Sequence, residues 1–226
     1  MHIPDGFLSD GVAGAAWVPT VVIVAVAVRK ANDSLDERRV PLLGVTAAFI
    51  FAVQMLNFPV AGGTSGYLLG AALAAILLGP WLACLVMTVV LTAQAFVFAD
   101  GGVTALGANV LNMGLIGALV VGFGMVLARR ILPKTPSALL AVTAAGSWLA
   151  VMLGAAATSV ELALSDTVPL STVLPAMLGV HALIGIGEAV VTVAAVAAVL
   201  ASRPDLIWAR EAVYDFDHRG LEPTGV

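Results

Sequence analysis

The first two residues, Met1 and His2, carry three nitrogens at chelating separation. A free α-amine on Met1 and the amide nitrogen of His2 would close a five-membered ring around a metal ion. The same amide and the His2 Nδ1 would close a six-membered ring. The three nitrogens then share a plane and leave a fourth position open. Planar nitrogen donors suit Ni(II) or Cu(II) and, by extension, low-spin Co(II). The amide must lose its proton, so binding should strengthen with pH. Met1 must also be retained, which the bulky His2 beside it favours. A histidine at position 2 is commonplace on its own, and its neighbours are what give it weight. Ile3-Pro4-Asp5-Gly6 is a turn sequence that can fold the terminus back on the protein.

A second set of polar residues lies inside apolar stretches: Gln54, Asn57, Gln94, Asn109, Asn112, His181 and Glu188. Polar groups at membrane depth are costly unless they are paired or face a cavity. His181 and Glu188 are seven residues apart, so they share a helical face about two turns from each other. Each can bond to a neighbouring helix, or the two can mark an ion or proton path. No chain of acids links them across a bilayer. Cys84 reads as a buried small residue, and a single cysteine leaves no disulfide framework.

The elements that must position these residues follow from composition. Of 226 residues, 61% are hydrophobic and only 11% are charged, with a net charge of −4. The mean hydropathy is +1.06. A soluble domain cannot hide that much apolar surface, and a disordered chain or a nucleic-acid binder needs charge that is lacking here. The fold class is therefore an all-α membrane protein. Seven apolar stretches are expected to span the bilayer, at about 9–28, 40–57, 65–79, 81–98, 107–128, 137–163 and 173–201. Gly79-Pro80 reads as a turn between the third and fourth, because one helix over 65–98 would be ~50 Å long.

Under this arrangement all ten Lys and Arg residues fall on one side. The opposite segments carry Asp5, Asp100 and Asp166 and no basic residue. The positive-inside rule then puts the C-terminus in the cytoplasm and the N-terminus outside. No basic residue precedes the first apolar run, so it does not read as a secretory signal. Residues 1–202 are expected to form a single transmembrane domain and 203–226 a short cytoplasmic tail.

Two outer loops are rich in glycine. In the first, Asn57 to Gly66, Thr64 or Ser65 can cap the third helix, which would place Tyr67 in its first turn. The second, Ala99 to Gly107, contains Asp100, and its glycines permit close backbone approach.

Four blocks in order, MHIPDGFLS, NFPVAGGTSG, TAQAFVFADGGVTALGANVLNMG and HALIGIGEA, resemble the CbiM/NikM family along residues 1 to about 200. These are the substrate-binding components of energy-coupling factor (ECF) transporters for cobalt and nickel. The resemblance implies seven helices, an outward N-terminus and a first helix added to the six usual in such components. It implies Co(II) or Ni(II) as transported substrate, held by the terminal amine and by the backbone and imidazole nitrogens of the second residue. Those positions are Met1 and His2 here. Asn57, Thr64, Ser65, Gln94, Asp100 and Asn109 would surround or occlude the ion. The family's further ligand is a histidine after the GTSG loop, and this chain has Tyr67 there. Three readings stay open: water or the Tyr67 oxygen fills the fourth position and binding weakens; metal preference shifts, in an altered paralogue or an engineered variant; or metal binding is lost. His181 is a formal replacement that the sequence does not place near Met1.

The resemblance also implies partners: a coupling membrane subunit, two ATPase subunits and, in some systems, a small accessory membrane protein. It implies the cell membrane of a bacterium or archaeon. The chain has no Gly-x-x-x-x-Gly-Lys-[Ser/Thr] loop for ATP and no His-Glu-x-x-His metalloprotease motif, so it does not read as an enzyme. The competing reading is a proton- or ion-coupled carrier built on His181 and Glu188. It finds no internal repeat to support it.

Overall fold

The computed structural model describes residues 1–35, 39–56, 58–59 and 65–213. After the N-terminal tail come α1 (Asp10–Ser34) and α2 (Arg39–Gln54). A two-residue ladder follows, β1 (Phe58–Pro59) antiparallel to β2 (Ser65–Gly66). Then come α3 (Ala71–Leu78), α4 (Pro80–Val97) and α5 (Leu106–Asn109). A π-helical turn, Val110–Leu115, joins α5 to α6 (Ile116–Ala128). The long antiparallel pair α7 (Pro136–Leu164) and α8 (Leu170–Ser202) closes the bundle, before a 3₁₀ turn (Pro204–Leu206) and α9 (Trp208–Val213).

Five helical stretches are long and apolar enough to cross a membrane: 10–32, 80–97, 106–128, 136–164 and 170–202. Residues 40–54 form a shorter apolar helix. The expected third span, 65–79, is corrected. Only its eight residues 71–78 are helical, about 12 Å at 1.5 Å per residue. This helix is buried along its whole length rather than lipid-facing. The expected cap is corrected too. Ser65 lies in β2, and the helix starts after Gly70, whose φ of +78° no side-chain-bearing residue adopts readily. Tyr67 therefore precedes the helix instead of occupying its first turn.

The reason is Glu188. Its carboxylate accepts from the backbone N–H groups of Leu69 and Gly70, both at 2.8 Å, and so satisfies the exposed donors ahead of α3. Gly79 separates α3 from α4 as expected, with φ +86° and Pro80 as the first residue of α4. Trp208 packs on that turn: a Cβ at Gly79 would lie 3.0 Å from its indole. The segment after α8 thus folds back on the bundle.

α1 runs continuously through Pro19, whose ring cannot donate a backbone hydrogen bond. The Thr20 hydroxyl next to it bridges the Ala16 and Gly107 carbonyls, each at 2.9 Å, and ties α1 to α5. Outward-facing Val18, Val21 and Val22 leave the other side of α1 exposed, as a lipid-facing helix requires.

Candidate metal centre

The N-terminal tail does not lie in solvent. Met1 is 1% exposed and His2 4%. Asn109 holds the backbone of Ile3 as a neighbouring strand would: its Oδ1 accepts from the Ile3 N–H at 2.8 Å, and its Nδ2 donates to the Ile3 carbonyl at 3.0 Å. The Gly102 N–H reaches the same carbonyl at 2.9 Å. Asp5 accepts from both the backbone and the hydroxyl of Thr104, at 2.7 and 2.6 Å. Those bonds hold the Asp5 carboxyl below its usual range. The Thr167 hydroxyl donates to the Phe7 carbonyl. Three separate elements therefore clamp residues 3–7.

Glycines make room for the clamp. A Cβ at Gly102 would sit 2.4 Å from the Asp5 nitrogen, and one at Gly154 would meet the Asn112 carbonyl at 2.8 Å and the Met1 methyl at 3.2 Å. The Met1 side chain thus packs onto the middle of α7. Burial drives the pKa of the Met1 amine well below its ordinary value, and the nearby Asp100 carboxylate only partly counters this. A neutral amine is the form that can donate to a metal.

The His2 ring is fixed on every side. It stacks on the Tyr67 ring with centroids 4.6 Å apart and planes 25° from parallel. The Tyr67 hydroxyl donates to the Met113 sulfur, and its oxygen faces the backbone amide of His2. A chain of amides runs to the other edge of the imidazole. The Leu69 carbonyl accepts from Gln54 Nε2 at 2.6 Å, and Gln54 Oε1 accepts from Gln94 Nε2 at 2.9 Å. That orients Gln94 Oε1 toward His2 Nε2, 3.2 Å away. An amide oxygen can only accept, so this network assigns the ring proton of a neutral His2 to Nε2. Nδ1 then carries the lone pair, and it has no hydrogen-bond partner among the described residues. Across from it, 3.2 Å away, is Asp100 Oδ1. That approach is a hydrogen bond only when Nδ1 carries a proton. A hydrogen bond from His2, made when the ring carries a proton on Nδ1, holds the Asp100 carboxyl below its usual range.

The structure therefore gathers Met1, His2, Tyr67, Gln94, Asp100 and Asn109 in one place. An open cavity of about 540 Å³ adjoins them, lined by His2, Asp5, Ala99, Asp100, Gly101 and Val103 among others. Asn57 and Thr64 lie outside the described residues, and Ser65 is described only through its backbone. Glu188 is engaged at the start of α3. His181 is buried in α8, its Nδ1 2.8 Å from the Met177 carbonyl, and it lies within electrostatic reach of the Met1 amine. Sequence reasoning passed over Glu161, Met113 and Gly154. Glu161 accepts from Asn112 Nδ2 at 2.5 Å. An acid within an apolar stretch was the available signal for it. Among the described residues no three His, Cys, Asp or Glu side chains converge on a metal-sized site.

The buried, multiply clamped N-terminal segment sits within a bundle that includes five helices long and apolar enough to cross a membrane. Two solved structures of transition metal transporters share the fold, with a TM-score of 0.81 each, 35% and 34% sequence identity, and coverage of 89% of this chain and 99% and 93% of theirs. Residues 2–206 match the family model for the CbiM cobalt uptake substrate-specific transmembrane region, and the chain belongs to that family. It is 41% identical to a protein of Haloquadratum walsbyi named "Putative metal transport protein", over 99% of this chain and 98% of that one. It is 36% identical to the fused nickel transport protein of Rhodobacter capsulatus over 94% of its own length, which spans 65% of that longer chain. The cobalt transport protein of Sorangium cellulosum is 34% identical, over 92% of this chain and 94% of that one.

Proposed function

We propose that the protein is the substrate-binding membrane component of an ATP-driven ECF importer for Co(II) or Ni(II). The ion is captured at the outer face by the Met1 amine, the His2 amide and His2 Nδ1. The observation that carries this reading is the burial of Met1 and His2 against Tyr67, beneath the loop containing Asp100. An accidental terminus would not be clamped by Asn109, Gly102 and Thr104. The site is prepared for chelation in three ways. Burial favours the neutral amine. The Gln54–Gln94 relay turns the Nδ1 lone pair away from the protein's own donors, as outer hydrogen bonds do for metal-binding histidines. Tyr67 stacks on the ring and fixes its rotation.

The reading keeps seven apolar segments, with the N-terminus outside and the C-terminal segment inside; five helices are long and apolar enough to cross a membrane. α3 acts as a short buried helix within that set. Inward delivery requires a coupling membrane subunit and two ATPase subunits, since the chain carries no nucleotide-binding loop of its own. The host membrane is the cell membrane of a bacterium or archaeon. The carrier reading loses its main support because Glu188 is committed to the backbone of Leu69 and Gly70.

The reading requires a free amine at Met1, which mass spectrometry of the purified protein checks. The test is calorimetric titration with Co(II) and Ni(II). His2→Ala, or one residue added before Met1, is expected to abolish binding. Unchanged affinity in the extended protein would refute the chelate.

A further inference from the structure

We propose that the Asp100 carboxylate is itself a ligand of the transported ion, so that the site holds the metal with three nitrogens and a carboxylate oxygen. This rests on the chelate reading above. His2 Nδ1 and Asp100 Oδ1 lie 3.2 Å apart. A proton on Nδ1 joins the two groups when no metal is bound, and an ion taking the place of that proton would find both as donors. The Gln94 oxygen claims the proton of a neutral ring on the far nitrogen. Asp100 Oδ2 has no hydrogen-bond partner among the described residues. A separation of 3.2 Å is close to the edge of a coordination polyhedron: two donors each about 2.0–2.2 Å from one ion, at an angle of about 90–105°, lie about 2.8–3.5 Å apart.

The backbone aims Asp100 at this point. Ala99 is held at φ +53° and Gly101 at +97°, both in the left-handed region. The Asp100 N–H is tied to the Gln94 carbonyl at 3.0 Å. Gly101 is obligatory as well, since a Cβ there would come within 3.0 Å of the His2 ring. The left-handed Ala99 is a strained position, and such strain persists where the surroundings dictate the local backbone. The same α4 residue, Gln94, therefore positions both partners: its side chain the ring, its carbonyl the Asp100 backbone.

Charge supports the assignment. A divalent ion bound to one amidate and one carboxylate is neutral, and a neutral complex costs far less to bury than a cationic one. Nitrogen donors alone, with a single amidate, would leave one positive charge inside the bundle. A carboxylate oxygen also gives a weaker ligand field than a fourth nitrogen. This site should therefore favour Co(II) relative to Ni(II) more than an all-nitrogen site does.

The experiment compares wild type, Asp100→Asn, Asp100→Glu and His2→Ala, each confirmed as folded by its elution profile and melting temperature. Co(II) and Ni(II) are titrated separately, and affinity is read together with the visible absorption of the bound ion. Asparagine keeps the size and the hydrogen-bond acceptor of aspartate but loses the charge. Asp100→Asn should weaken Co(II) binding at least tenfold and shift the absorption band, and Asp100→Glu should recover part of both. An affinity loss with an unshifted band would overturn ligation and make Asp100 a positioning residue. Wild-type affinity and spectrum in Asp100→Asn would overturn the proposal outright while leaving the chelate standing. Full binding by His2→Ala would instead remove the chelate on which it rests.

Discussion

At the scale of single residues, the substitution that matters most is Tyr67. Its ring replaces a histidine of the family pattern yet still stacks on His2, and its oxygen faces the amide that must be deprotonated. A neutral phenol is a weak donor for a borderline ion. Tyr67→His is expected to strengthen Ni(II) binding, by tenfold or more, in a titration against wild type. No gain would mean that the fourth position is already filled by another group. The terminal amine supplies a second prediction. Its folded pKa lies below the ordinary 8.0. Between the two values only the unfolded chain binds the proton, so stability falls as pH drops below about 8 toward the folded value. The melting temperature of wild type should therefore rise from pH 6 to 8.5. Acetylation of the terminus should flatten that slope.

At the scale of elements, the tail and the α3 entrance are both ordered by side chains from distant helices. Ordering each tail residue costs roughly 1–2 kcal/mol. Burying Met1 and Ile3 returns roughly 1.5–3 kcal/mol apiece. Those amounts leave the docking to be decided by its hydrogen bonds. Asn109→Ala removes both bonds to Ile3 and strands a buried N–H, a loss of roughly 1–3 kcal/mol. Metal affinity should fall roughly tenfold to a hundredfold, because the chelating residues must dock to close the site. Glu188→Gln behaves differently. One of its two acceptors becomes a donor facing another N–H, so thermal stability should drop while Co(II) affinity stays within about threefold of wild type, the outcome expected for a structural cap. A large loss of binding with stability intact would revive a transport role for Glu188.

At the scale of the whole molecule, orientation is the quantity to measure. Cys84 is buried and is the chain's sole cysteine, so background labelling should be low. Val103, 42% exposed beside the tail, can carry a reporter as Val103→Cys. A membrane-impermeant maleimide should label it on intact cells, and a tag after residue 226 should react only after lysis. The reverse pattern would turn the whole capture scheme inside out.

The sequence alone determined the membrane class, the positions of the long helices and the break at Gly79. It also marked the Met1–His2 pair as a potential chelator. These are local or cumulative properties: apolar run length, a proline that cannot continue a helix, and ring sizes fixed by covalent bonds. Membership of the cobalt-uptake family was legible for the same reason, since its blocks lie in order along the chain. The tertiary structure alone decided which long-range partners meet. Eight helical residues rather than fifteen in α3, the cap supplied by Glu188 from 118 residues away, the Gln54–Gln94 relay and the Asp100–His2 approach all depend on contacts between segments far apart in sequence. Hydropathy shows that a polar residue is buried. It does not show which backbone or side chain satisfies it, because that partner is chosen by the packing of the whole bundle.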